Sequence, residues 1–128
     1  MKTVLLTGGS GFIGSHTCIE LLNNNYRIIV LDSNINSYPL SEKTIKSILG
    51  ITSDISNRYK FQKGDIRDKL LMKKIFKNAK NSGRPIEAVI HFAGLKAVHD
   101  SVIDPLNYWD NNVFGSLCLL QVMAEFNC

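Results

Sequence analysis

Residues Thr3–Thr17 read TVLLTGGSGFIGSHT: a β-favouring apolar run, a cluster of glycines, then the start of a helix-like pattern. A glycine turn between a strand and a helix offers backbone N–H groups and the positive end of a helix dipole to an anion, so this is a candidate phosphate loop. Two loops share its letters. The Walker loop needs lysine and then serine or threonine directly after its last glycine. Gly9 to Gly14 has the spacing, but Ser15 and His16 follow. Without the lysine there is no point charge for terminal phosphates, which argues against NTP hydrolysis. The other pattern, G-x-G-x-x-G, is met by Gly9-Ser10-Gly11-Phe12-Ile13-Gly14. There the glycines allow a tight turn and close approach of backbone to a pyrophosphate.

Working outward, the apolar periodicity switches repeatedly between strand and helix. KTVLLT (Lys2–Thr7) and RIIVLD (Arg27–Asp32) read as buried strands, separated by a helix from Phe12 to about Asn24 with the polar stop NNN. After the loop SNINSYP, Leu40, Ile45, Ile48 and Leu49 recur at helical spacing up to Gly50. Arg58–Asp65 reads as a third strand, Asp68–Lys80 as an amphipathic helix and Ile86–Gly94 as a fourth buried strand. From Leu106 to Phe126 the pattern predicts one long helix with Val113, Leu117, Leu120 and Ala124 along a face. The expected fold class is therefore α/β, a Rossmann-like parallel sheet with helices on both faces. In such sheets ligands bind outside the carboxyl ends of the strands, so the glycine loop and the end of the fourth strand, HFAGLK, should meet. Asp32 closes the second strand 18 residues past Gly14. A carboxylate there accepts ribose hydroxyls and repels a 2′-phosphate, which selects NAD over NADP.

Composition bounds the alternatives. The chain has 128 residues, 45% of them apolar and 20% charged, with a net charge of +4; this is one soluble-type domain. No run approaches the roughly 18 apolar residues that span a membrane, and glycines cut MKTVLLTGGSG short of a signal-peptide core. The expected setting is cytoplasmic, with no membrane partner. Basic residues crowd KTIK, RYKFQKGDIR and KLLMKKIFKNAKNSGR. Lysines interleaved with apolar positions describe a solvated helix face, and no aromatic interleaving suggests base stacking, so no nucleic-acid partner is expected. Cys18, Cys118 and Cys128 form no CxxC pair, and His16, His91 and His99 lack ligand spacing, so neither a disulfide framework nor a metal site is expected.

TGGSGFIGSHT, LDSNINS, GDIRD, HFAGLKAV and YWDNNVFGS, in that order, resemble the N-terminal part of the UDP-glucose 4-epimerase family, within the extended short-chain dehydrogenase/reductase group. HFAGLKAV is the most specific of these, since related sugar-nucleotide dehydratases usually differ after that strand. The resemblance implies that Gly8, Gly11 and Gly14 form the cofactor loop, with the amides of Phe12 and Ile13 on the pyrophosphate. It places Asp32 on the adenosine ribose, Asn36 and Ser37 near the adenosine end, and Asp65 and Ile66 at the adenine edge. Phe92, Ala93 and Gly94 would lie under the nicotinamide ribose. Lys96 would reach cofactor and sugar nucleotide, and Asn111 would face the cofactor from the long helix. Departures from the pattern (Phe12 for a common tyrosine, VHDS, and Phe114 for a polar residue) bear on specificity more than on cofactor binding.

The family's chemistry is implied to be a transient oxidation at the sugar C4. NAD takes a hydride, the 4-keto sugar turns over, and the hydride returns to the opposite face. The base is a tyrosine in Tyr-x-x-x-Lys assisted by serine or threonine. Tyr59–Lys63, YKFQK, matches the letters but falls on the third strand, where residues four apart are about 13 Å apart; the motif needs a helix, where they are adjacent. Residues 1–128 therefore read as the N-terminal part of an NAD-binding Rossmann domain. Catalytic groups and the UDP-sugar-binding part are expected downstream, and this chain alone should be inactive. The complete protein is expected to be a homodimer. A stand-alone dinucleotide-binding module, or a piece of another sugar-nucleotide epimerase or dehydratase, remains the alternative.

Overall fold

The computed structural model describes residues 1–40, 42–50 and 55–128. Four strands, β1 (Thr3–Thr7), β2 (Arg27–Asp32), β3 (Tyr59–Lys63) and β4 (Ile86–His91), form one parallel sheet in the order β3-β2-β1-β4. The direction of winding reverses between β1 and β4. That is the switch point at which such sheets open a crevice.

All of β1 and nearly all of β2 are buried, and successive residues feed two cores on opposite faces. Leu5, Ile29 and Leu31 pack with Met72, Phe76, Cys118, Leu119 and Val122 on one face. Val4, Leu6, Ile28 and Val30 pack with Cys18, Leu22, Ile45 and Ile55 on the other. This is why those strands read as continuous apolar runs rather than alternating ones. Helices α1 (Phe12–Asn23), α2 (Glu42–Leu49) and the short α3 (Ile55–Arg58) cover the second face, and α4 (Lys69–Asn81) and α7 (Gly115–Glu125) the first.

Local chemistry sets the helix ends. The stop NNN works through Asn25, which adopts φ 63° while the Asn25 and Tyr26 N–H groups close back on the Leu22 and Leu21 carbonyls. Asp68 caps α4 by accepting the Leu71 N–H at 2.9 Å.

The structure corrects the sequence reading at four places. Arg58 belongs to α3, and β3 stops at Lys63, leaving Gly64 and Asp65 in the following turn. β4 is not buried throughout and ends at His91: only Ile86 is fully covered, because β4 has a neighbour on one side only among the described residues. The long C-terminal helix is broken into α6 (Pro105–Tyr108), a π-helical turn (Trp109–Phe114) and α7, and is preceded by α5 (Val98–Ile103). Its buried face is Gly115, Cys118, Leu119 and Val122, not Val113, Leu117, Leu120 and Ala124. Both faces are apolar, so periodicity could not rank them. The face that meets α4 and the sheet wins.

Candidate functional site

The carboxyl ends of β1, β2, β3 and β4 surround a cleft of about 370 Å³. The glycine loop leaves β1 through Gly8, which has φ +68°; a Cβ there would lie 2.6 Å from the Ala93 N. A side chain is thus excluded both by conformation and by the backbone of the β4 turn. A Cβ on Gly14 would sit 2.4 Å from the Gly8 carbonyl oxygen, so the first turn of α1 folds directly onto the loop. Gly11 is the N-cap and offers no side-chain cap; the first helical bond is Ser15 N–H to Gly11 O at 2.8 Å. The Phe12, Ile13 and Gly14 amides ahead of it are left at the positive end of the helix dipole, on the cleft wall.

The two strand-end carboxylates are built alike. Asp32, 8% exposed, accepts the Asn34 N–H at 2.8 Å on Oδ1, together with the Ser37 hydroxyl, and the Ser10 N–H at 2.9 Å on Oδ2. Asp65 accepts the Arg67 N–H at 2.8 Å. Each is an Asx-turn that carries the chain away from its strand and leaves the carboxylate on the cleft. Next to Asp32, Ser10 Oγ and Asn34 Oδ1 are buried without partners among the described groups. Arg67 holds the Asp65 carboxyl below the usual carboxylate range. Burial, with the Asp32 charge adding to it, pushes the Cys18 thiol beneath the loop up to about 12.

At the far end, the turn after β4 brings Phe92, Ala93 and Gly94 to the cleft, with the Lys96 ammonium folded back onto the Phe92 carbonyl at 3.1 Å. Asn111 lines the same wall from the π-helical turn. Every residue that the family resemblance placed on the cofactor, Asn36, Ser37 and Ile66 included, lines this one cleft. The sequence reading missed the groups that brace it. Asn112 grips Leu95 on both backbone groups, accepting its N–H at 2.8 Å and donating to its carbonyl at 2.9 Å. His91 joins Thr7 Oγ1 (2.5 Å) to Ser116 Oγ (3.0 Å), and the Ser116 hydroxyl donates to the Asn112 carbonyl. Burial, and secondarily the nearby Lys96 charge, pull the His91 pKa below its ordinary value. The Thr7–His91, His91–Ser116 and Leu95–Asn112 pairs span 17 to 84 residues and leave no local signature; the Ser116–Asn112 bond, four residues apart, is the local one of the set.

The model of the GDP-mannose 4,6 dehydratase family matches residues 5–128. The chain belongs to that family. Within the GDP-mannose 4,6 dehydratase family, the relatives it resembles carry a different activity in their names. It is 45% identical over 127 residues to UDP-glucose 4-epimerase 2 of Arabidopsis thaliana, covering 99% of this chain and 34% of that protein. It is 48% identical over 120 residues to UDP-glucose 4-epimerase of Yersinia pestis, covering 94% and 32%. The structure of the Bifidobacterium longum UDP-glucose 4-epimerase, in complex with NAD+ and UDP, superimposes with a TM-score of 0.82 at 44% identity, covering 98% of this chain and 34% of that one. The Stenotrophomonas maltophila UDP-glucose-4-epimerase, with bound NAD and formylated UDP-arabinopyranose, gives 0.84 at 36%, covering 99% and 34%. This member of the family spans about a third of the length of the curated relatives it matches.

Proposed function

We propose that this chain is the NAD-binding part of a UDP-glucose 4-epimerase that interconverts UDP-glucose and UDP-galactose through a transient 4-keto sugar. The observation that carries the reading is the cleft itself. An uncapped helix N-terminus, a glycine loop with no room for side chains and a buried strand-end carboxylate converge on it. The donor set fits a dinucleotide. The Phe12, Ile13 and Gly14 amides take the pyrophosphate. Asp32 Oδ2, with one bond already used, has capacity for a ribose hydroxyl, and its charge disfavours a 2′-phosphate. When bound, NAD supplies reversible hydride acceptance. This chain's part is to hold it, with Lys96 contributing positive charge and Asn111 a polar side chain at the nicotinamide end.

The proton-abstracting base is assigned outside these residues. Tyr59 is 4% exposed on β3 with its hydroxyl on the Leu40 carbonyl, so the Tyr59–Lys63 pair is part of the sheet. Alone, the chain should not interconvert the two UDP-sugars. In the complete enzyme, a cytoplasmic homodimer, the part that binds the UDP-sugar and supplies Tyr-x-x-x-Lys would follow. The test is a thermal melt with NAD and NADP at equal concentrations. NAD at a hundred times its Kd should stabilise by about 2.7 kcal/mol, with NADP giving less. Stronger stabilisation by NADP overturns the cofactor assignment. Coding DNA that continues past Cys128 into a serine-bearing strand and a helical Tyr-x-x-x-Lys supports the epimerase; a stop codon there favours a stand-alone dinucleotide module.

A further inference from the structure

Arg67 stands beside the cleft and is used by none of the roles above. Its Nε and one terminal nitrogen meet both oxygens of Asp65, at 3.0 and 2.6 Å, in the parallel two-bond geometry that fixes a carboxylate's plane. Its other terminal nitrogen donates to Asp110 Oδ2 at 2.6 Å, one residue before Asn111 on the π-helical turn. The seam is tight. A Cβ on Gly115 would lie 2.6 Å from Ile66 Cδ1 and 3.5 Å from Arg67 Cγ, so the 65–67 turn packs against the start of α7. The lone pairs on Asp65 are nearly all taken. Oδ1 accepts twice, from the Arg67 backbone and from Nε, and is full; Oδ2 accepts once. Among the described residues Asp65 therefore keeps one free acceptor position, on Oδ2, and Asp65 is part of the cleft wall.

We propose that Arg67 is the positioning residue that sets base specificity: it locks Asp65 so that its one free lone pair reads an exocyclic amine and rejects a 6-oxo group. The proposal rests on the NAD reading above and adds to it the group that orients the carboxylate at the adenine edge. An amine at that position donates to Oδ2, whereas a carbonyl oxygen would face it lone pair to lone pair. Through Asp110 the same guanidinium ties the base end of the cleft to the turn that carries Asn111. An arginine is required, because lysine keeps the charge but cannot make the parallel pair.

The test uses NAD and its hypoxanthine analogue, in which the 6-amino group is a 6-oxo group. Their Kd values are measured by calorimetry on the 128-residue chain and on Arg67→Ala and Arg67→Lys. The wild-type chain should favour NAD by about tenfold or more, the worth of a hydrogen bond to a charged group. Both variants should bring the ratio close to one, mainly by weakening NAD. Equal weakening of both ligands with the ratio kept, in either variant, would show a merely structural arginine and overturn the proposal. A wild-type ratio of one overturns it too while leaving NAD binding standing. Failure of the wild-type chain to bind either dinucleotide would overturn the NAD reading itself.

Discussion

Gly8 and Gly14 show how little latitude the loop has at the scale of single residues. Adding a methyl at Gly14 forces it onto the Gly8 carbonyl, which is backbone and has nowhere to go. Gly83, by contrast, has φ +71° with nothing within 4 Å of an added Cβ, so alanine there meets only the left-handed conformational penalty. Urea denaturation should therefore separate them: Gly14→Ala losing about 2–3 kcal/mol, Gly83→Ala about 1 kcal/mol. Equal losses would mean that the loop relaxes and that close approach is not what excludes a side chain. The glycines and Asp32 were legible as residues because their chemistry depends on local position, at a strand end or a helix start, and Asp65 was singled out through the family resemblance of GDIRD. Arg67 was not legible: its letters do not say that the guanidinium folds back in parallel on Asp65 while also meeting Asp110, 43 residues away.

Among the elements, β4 is fastened at its end by His91. The Ser116 hydroxyl donates to Asn112, so it accepts from the His91 Nε2–H, and Nδ1 then accepts the Thr7 hydroxyl. The relay suits a neutral ring. A proton on Nδ1 would confront the Thr7 hydroxyl hydrogen. The lowered His91 pKa gives the sign of the pH dependence: the unfolded chain takes up the proton first. Stability is full above the unfolded value of about 6.5, falls as the pH drops through it, and levels off below the folded value. Thermal melts between pH 7.5 and 5.5 should show this decline, and His91→Gln should remove that part of it. An unchanged decline in the variant would assign the effect elsewhere. The helix run after β4 was the least legible element. The π-helical turn inserts an extra residue per turn, which rephases the segment so that Asn111 lines the cleft, Asn112 grips Leu95, and Cys118 and Val122 reach the core.

For the whole molecule, the unburied face of that run matters most. Val102, Leu106 and Trp109 are 77, 79 and 65% exposed, and Val113, Leu117 and Leu120 are about half exposed or more. β4, alongside, has one strand partner only among the described residues. Exposed apolar surface on this scale, next to a sheet edge, marks a region built to be covered. The 128-residue chain should associate as its concentration rises, and static light scattering should report a mass that climbs with concentration. Leu106→Lys combined with Leu120→Glu should shift it toward the monomer. Monomeric behaviour of the unaltered chain at high concentration would show that this surface is tolerated.

The sequence by itself determined the alternation of the four strands with the main helices, the parallel α/β class, the glycine turn after β1 and the carboxylate that closes β2. Each of these is written in local spacing: period two against period 3.6, glycine where a Cβ has no room, a carboxylate where a strand stops. Tertiary structure alone decided which apolar face of α7 is buried, how far β4 is covered, where the π-helical turn falls, and how Asn112, His91 and Arg67 brace the cleft. Those outcomes depend on contacts between segments far apart in the chain. A local pattern states that an element has an apolar face or a polar group, and packing settles what it meets.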